Sequence, residues 1–231
     1  MRYLLDGFLG ALRLLTHLDA ETLATIAATL RSTGYAMTAA LLLGLPLGFL
    51  LGYGEFPGKR ALRLISDTLL AFPTVLIGLL VYAFITARGP LGHLGLLFTL
   101  KGMAVGQAVL ALPIVISWTA QAVEDLDPRC RRTLLTLGAN ARQLVLYSLW
   151  ECRYAVLMVC VTAFGRVITE VGVAMMLGGN IRYSTRTMTT AIALETSKGE
   201  FAQGIALGLV LLLMAFVVNL LLAICRKRGR A

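Results

Sequence analysis

The chain has 231 residues, of which 58% are hydrophobic and only 14% are charged, and its mean hydropathy is +0.81. Soluble domains carry about 25% charged residues, so this composition excludes an ordinary soluble domain and indicates a membrane protein. A net charge of +9 would suit a nucleic-acid partner, but the placement of the basic residues along the chain points instead to phospholipid headgroups.

The first 21 residues form a short apolar stretch rather than a span. Apolar side chains recur there at helical spacing, at Leu4, Leu5, Phe8, Leu12 and Leu15. Because the stretch is short and contains Arg13, we predict an N-terminal helix that lies at the membrane interface. A cleaved signal peptide is the alternative, although no small-residue cleavage site precedes the acidic residues at 19–21.

Four long runs, 32–54, 68–87, 102–123 and 201–225, contain no Asp, Glu, Lys or Arg. Each reaches the roughly 20 apolar residues that a spanning helix needs. A fifth run, 154–181, is interrupted by two charges. The prediction is a single all-α membrane domain over 1–231, a polytopic bundle of about five helices. Its spans are placed at 32–54, 66–87, 102–123, 154–178 and 201–225.

Proline and glycine mark joints within these spans. Pro46, Pro73 and Pro113 predict bends in the first three spans. Gly44, Gly48 and Gly52 repeat every four residues and predict one small-residue face against which another helix packs closely.

The basic residues favour one orientation of the bundle. With the N-terminus outside, the inner segments 53–63, 124–153 and 226–231 hold twelve of the 21 Lys and Arg, and the outer segments hold eight. The positive-inside rule then predicts an N-terminus outside and a C-terminus in the cytoplasm.

The inner connection, 124–153, is much longer than a usual turn between helices. Asp127 and Pro128 predict a helix start, and Gly138 predicts the end of that helix. We therefore expect a short helix, a glycine turn and a second helix that runs into the fourth span. Ordered structure outside the bilayer suggests either packing or the docking of a partner.

Arg166 and Glu170 lie four residues apart in the fourth predicted span, so they share one helical face and can pair. A central charge costs about 2.5–3.5 kcal/mol on insertion scales, so each ion is expected to face protein or water. Two interpretations stay open. The pair either locks the span to a neighbour, or lies beside a translocation path and changes partners there.

The outer connection, 180–203, is rich in cations and hydroxyl groups. The candidate contacts for a tetrahedral oxyanion are Arg182, Arg186, Thr187, Thr189 and Thr190. Thr187 is also placed to cap a helix through Ala191–Leu194. A plain solvated connection that docks another protein is the alternative.

The segment TLLTLGANARQLVLYSLWE resembles the cytoplasmic coupling loop of bacterial ABC-importer permeases. That loop reads E-A-A, three residues, G, nine residues, I-x-L-P. Gly138 matches the glycine and Ala139 its usual successor, whereas Arg132, Thr133 and Leu134 occupy the E-A-A positions. The span count, the loop position and the stretch 166–201 all resemble the oxyanion branch of this family.

The resemblance implies a bacterial inner-membrane permease that conducts a tetrahedral oxyanion, tungstate first, with molybdate and sulfate as alternatives. It implies a homodimer, two cytoplasmic ATPase subunits and an extracytoplasmic substrate-binding protein. Within the most similar stretch, Gly178, Gly179 and Asn180 join Arg166 and Glu170 as the candidate pathway or gate.

The chain itself is not expected to be an enzyme or to bind a cofactor. GYGEFPGKR at 52–60 lacks the spacing of a phosphate-binding loop, and no serine elbow or HExxH motif is present. The four cysteines show no metal-binding spacing. A non-conducting membrane anchor is the alternative from another class, and an ion-coupled transporter would require inverted repeats, which are not apparent.

Overall fold

A computed structural model describes residues 2–17 and 20–228, and the regular structure within those ranges is helical throughout. The predicted all-helical fold is therefore confirmed. Part of the predicted basic tail, including Arg230, lies outside the described residues. The helices are α1 (Arg2–His17), α2 (Ala20–Tyr53), α3 (Lys59–Leu70), α4 (Thr74–Ile85), α5 (Leu100–Glu124), α6 (Pro128–Thr136), α7 (Ala141–Glu151), α8 (Arg153–Ile168), α9 (Gly172–Gly178), α10 (Met188–Ser197) and α11 (Phe201–Arg228).

Three helices in the described ranges, α2, α5 and α11, are long and apolar enough to cross a membrane alone. Two bent pairs raise the number to as many as five, with a bend of 102° between α3 and α4 and of 57° between α7 and α8. The first bend falls at the predicted proline: Pro73 has no N–H and disfavours helix at the residue before it. Pro46 and Pro113, by contrast, lie inside the continuous helices α2 and α5.

The fourth predicted span, 154–178, is not one helix. Helix α8 ends at Ile168 and α9 begins at Gly172, so Glu170 lies in the break and not on a continuous helical face with Arg166. The break is stabilised locally. The Glu170 carboxylate accepts a hydrogen bond from the Val173 N–H at 3.2 Å, and this satisfies a donor at the start of α9.

Helices α2 and α5 pack together along the predicted glycine face. A Cβ atom at Gly48 would lie 2.6 Å from the Ile116 carbonyl oxygen, and one at Gly52 would lie 2.5 Å from that of Ala120. Gly44 meets the side chain of Val115 instead: a Cβ atom there would lie 2.8 Å from Val115 Cγ1. Contacts advance in the same direction along both helices, so the two run parallel, and the prediction of a close helix–helix approach is confirmed.

The main core is formed by buried side chains of α2, α4, α5, α8 and α9. A second cluster joins α8 and α10 to α11, and Leu14 and Ile26 pack against it. Helix α1 lies along the first turns of α11: the rings of Tyr3 and Phe201 meet edge to face at 6.2 Å, and Gly7 lies against Ile205. On the opposite side of α1 several apolar side chains are exposed, namely Leu5, Phe8, Leu9 and Leu12.

Candidate coupling loop and membrane-depth ion pair

The loop 124–153 has the predicted helix–glycine–helix form. Asp127 caps α6 by accepting a hydrogen bond from the Arg129 N–H at 2.8 Å, and Pro128 is the first helical residue. Gly138 then adopts a left-handed backbone with φ of +81°. The Gly138 and Ala139 N–H groups donate to the carbonyls of Leu135 and Leu134, which closes the end of α6 as a Schellman motif.

Helix α7 starts immediately after this turn. Asn140 accepts from the Gln143 N–H at 3.0 Å, and the Gln143 side chain accepts from the Asn140 N–H at 2.8 Å. This capping box satisfies donors at both positions. Two adjoining terminal motifs therefore fix the corner between α6 and α7 without help from the rest of the bundle.

The corner presents apolar side chains to the outside. Leu137 is 78% exposed and Trp150 is 66% exposed. Of the residues at the predicted coupling positions, Arg132, Thr133 and Gly138 are exposed, whereas Leu134 and Ala139 are half-buried. Large apolar side chains exposed on an ordered loop are candidates for contact with a partner.

Behind the loop, an ion-pair network that the sequence did not indicate joins the start of α3 to the C-terminal ends of α2 and α5. Lys59 lies 3.4 Å from Glu124 and donates to the Gly52 carbonyl at 3.2 Å. Arg63 donates to Gln121 at 2.8 Å and lies 3.7 Å from Glu124. The short basic segment that fails as a phosphate loop thus fastens α3 to the ends of α2 and α5.

The predicted pair of Arg166 and Glu170 is formed, with 3.3 Å between Nη1 and Oε2. Its two members differ in surroundings: the Glu170 side chain is 3% exposed, whereas that of Arg166 is 47% exposed. Glu170 also accepts from Val173, and its backbone carbonyl accepts from the Thr189 hydroxyl at 2.9 Å. The carboxylate is therefore built into the protein, while the guanidinium reaches the surface of the chain.

The residues that follow α9 form a tight turn. Gly178 is buried against Met103, and Gly179 and Asn180 both have positive φ, of +69° and +52°. Phe98, which also has positive φ, packs on Gly179 and donates its N–H to the Leu177 carbonyl at 2.8 Å. Sequence reasoning missed Phe98, because no local pattern reports this pairing between distant segments.

Arg182 and Arg186, predicted as oxyanion contacts, both bind Glu21 at the start of α2. Arg182 Nε lies 2.9 Å from Glu21 Oε2, and Arg186 Nη1 lies 2.5 Å from Oε1. Arg186 also donates to the Asn180 side chain at 3.2 Å. Hydrogen bonding from Arg182, aided by the charges of both arginines, lowers the pKa of Glu21 below its ordinary value of 4.5. In this structure the two cations share one carboxylate from within the chain, so the three side chains together keep a net charge of +1.

The three threonines of the same prediction are buried rather than exposed. Thr187 caps α10 in a reciprocal arrangement with Thr190, so the predicted helix start is confirmed. Thr189 donates to the Glu170 carbonyl. The Met188 N–H donates to Thr29 of α2 at 2.9 Å. These hydroxyls tie α10 to the break beside Glu170 and to α2.

A polytopic helical bundle with an ordered helix–glycine–helix loop is the architecture expected of the membrane subunit of a transport system. The sequence model for the inner membrane component of binding-protein-dependent transport systems matches residues 44–230. The chain belongs to this family of ABC-importer permeases.

Individual relatives agree with this assignment. The tungstate uptake system permease protein TupB of Campylobacter jejuni is 50% identical over 217 residues, which cover 94% of this chain and 91% of that protein. TupB of Peptoclostridium acidaminophilum is 36% identical over 221 residues, covering 95% and 96%. The fold is similar to that in inward-facing structures of the MetNI methionine ABC transporter, with a TM-score of 0.73 at 14% identity, covering 90% of this chain and 95% of that one.

Proposed function

We propose that this chain is the conducting subunit of an ABC importer that carries tungstate into the cytoplasm. The observation that carries the proposal is the 50% identity with a tungstate uptake permease over nearly the full length of both proteins. Molybdate and sulfate are the alternative substrates, because all three are tetrahedral dianions.

The proposed assembly contains two copies of this chain, two cytoplasmic ATPase subunits and an extracytoplasmic binding protein. The exposed corner around Leu137 and Gly138 supports a docking role for the loop. The chain has no phosphate-loop spacing, so we assign ATP binding and hydrolysis to the partner and no cofactor to this subunit. The topology proposed here keeps the N-terminus outside and this loop in the cytoplasm.

Arg166 is proposed to border the translocation path. An arginine side chain that is 47% exposed within a membrane segment must face water or another protein surface, because lipid would not solvate its charge. Its pairing with Glu170 moderates its attraction for a dianion, so an ion that binds there can also leave. A purely structural pair is the competing interpretation, and the variants described in the Discussion separate the two.

Transport in proteoliposomes tests the proposal. The permease is reconstituted with its ATPase and binding protein, and uptake of tungstate, molybdate and sulfate is measured with and without ATP. We expect ATP-dependent uptake of tungstate, with weaker competition from the other two anions. ATPase recruitment without uptake of any oxyanion would identify a membrane anchor and overturn the proposal, and preferential uptake of molybdate or sulfate would correct the substrate.

A further inference from the structure

An apolar groove of about 440 Å³ runs between the exposed faces of α2 and α5. Its floor is built of small side chains, Ala40, Ala104 and Ala108, and its walls of larger ones, which include Leu43 and Val105. The lining is apolar except for Lys101 and Tyr35 at one end. This face is separate from the coupling loop, the ion pair and the arginine cluster.

The groove is about half a bilayer long. From Lys101 to Leu112 the rise along α5 is about 16 Å, and the hydrocarbon core is about 30 Å thick. The groove closes where α2 and α5 come together, since Gly44 lies against Val115 and Leu112. A spanning helix from a second copy would need a continuous face across the whole core, which this groove does not provide.

One cation lines the open end of the groove, and a second lies one turn beyond it on α2. Lys101 lines the groove on α5. On α2, Arg31, Tyr35 and Ala39 are all exposed and lie four residues apart, which places Arg31 one turn beyond Tyr35 on the same face. Within the described ranges, no acidic side chain pairs with Arg31 or Lys101. Tyrosine is typical of the membrane–water boundary, so the open end lies at headgroup level.

We propose that this groove binds one acyl chain of an anionic phospholipid, whose phosphate is held between Arg31 and Lys101. The lipid belongs to the leaflet at the N-terminal ends of α2 and α5, the outer leaflet in the proposed topology. The apolar lining, the half-bilayer length and the two cations on adjoining helices together match one lipid molecule. They match neither a free anion, which needs no groove, nor a spanning helix.

Native mass spectrometry of the full chain, released from detergent, tests this site. The probes are phosphatidylglycerol and phosphatidylcholine with identical acyl chains. Ala39→Phe fills the groove from an exposed position, and Leu42→Phe is its matched control because Leu42 is 71% exposed and does not line the groove. Arg31→Gln and Lys101→Gln remove the cations, and Arg88→Gln removes an exposed cation elsewhere.

We expect one phosphatidylglycerol to be retained per chain. Ala39→Phe should weaken retention of both lipids about tenfold or more, and Leu42→Phe should not. Arg31→Gln and Lys101→Gln should each weaken the retention of phosphatidylglycerol about fivefold and leave the retention of phosphatidylcholine unchanged. Arg88→Gln should change the retention of neither lipid.

Equal effects of the two Phe variants, or an unchanged lipid preference in both groove Gln variants, would overturn the proposal. If Ala39→Phe fails to fold, the Gln variants decide alone, because both positions are exposed. If Ala39→Cys in a cysteine-free background forms a disulfide between two chains, the groove is occupied by a second copy of the chain and the lipid proposal is wrong. Uptake measurements play no part in this test, so its failure is distinct from failure of the proposed function.

Discussion

Arg166 and Glu170 illustrate how two charges in one pair perform different tasks. Glu170 is buried and supports the start of α9 through Val173, whereas Arg166 reaches the surface. Replacing the glutamate by an apolar residue would therefore remove the acceptor for the Val173 N–H as well as a charge. Glutamine keeps the acceptor for the Val173 N–H and removes only the charge.

A double variant separates a structural pair from a pathway pair. Arg166→Met or Glu170→Gln alone leaves an uncompensated charge and should cost about 2–3 kcal/mol, less than a fully buried pair because Arg166 is half exposed. Combined, the substitutions should restore thermal stability in detergent. If Arg166 borders the path, ATP hydrolysis persists in the double variant but tungstate uptake is uncoupled from it.

The pair of exposed Lys198 and half-buried Glu195, at 2.8 Å, supplies the control. Lys198→Met combined with Glu195→Gln should alter neither stability nor coupling. Full coupled uptake in the Arg166→Met/Glu170→Gln variant would leave the pair with a packing role only.

The ion pairs of Glu21 with Arg182 and Arg186 predict a pH dependence of stability. The pKa of Glu21 is lower in the folded protein than in the unfolded chain, mainly through the hydrogen bond from Arg182. The cluster therefore contributes stability above about pH 4.5, and this contribution is lost as the pH falls through the lowered pKa. We expect the melting temperature of the protein to exceed that of Glu21→Gln at about pH 7 and the difference to shrink below about pH 4. A difference that is the same at both values would contradict this linkage.

At the scale of helices, local signals in the sequence were sufficient to predict the helix–glycine–helix form of the loop 124–153. Asp127–Pro128 and Gly138 specify the start and end of α6 through their own hydrogen bonds, so no distant contact is needed. The break after Ile168 was not predictable in this way. Hydropathy is averaged over a window of residues. The average does not reveal a position where a side chain, here Glu170, accepts a backbone N–H in place of a helical carbonyl.

Long-range pairs set the other limit of sequence reasoning. The arginines at 182 and 186 were recognised as candidates for anion binding, but their actual partner, Glu21, lies 161 residues before the first of them. The sequence predicted that these cations bind an anion. In the structure, the anion that they bind is a carboxylate of α2. Nothing periodic in the sequence connects the two segments.

The turn at Gly138 is the testable part of the coupling loop. A side chain there would meet open space, so Gly138→Val acts through its unfavourable positive φ, at a cost of about 1–2 kcal/mol. We expect membrane insertion to persist and co-purification of the ATPase to fall. Asparagine tolerates a left-handed backbone, so Gly138→Asn should retain the ATPase. Thr136→Val on the same loop should retain it as well. Normal ATPase retention and transport by Gly138→Val would show that the loop is not the docking site.

For the whole molecule, the orientation in the membrane makes a direct prediction. Single cysteines at His93 and Leu137, both exposed, are introduced into a cysteine-free background. An impermeant maleimide added to intact cells should label the first position and reach the second only after permeabilisation. Labelling of both positions in intact cells, or of Leu137→Cys alone, would overturn the proposed topology.

The glycine contact between α2 and α5 limits which parts of the molecule are able to move. At Gly48 and Gly52 the backbone of α2 comes against backbone carbonyl groups of α5. Sliding one helix past the other would therefore drive backbone atoms into the neighbouring helix. We therefore expect α2 and α5 to move as one rigid body throughout a transport cycle. Alternation between inward and outward access would then require hinges at residues 71–73 and 169–171. At these breaks the adjoining helices would rotate relative to the rigid pair α2 and α5.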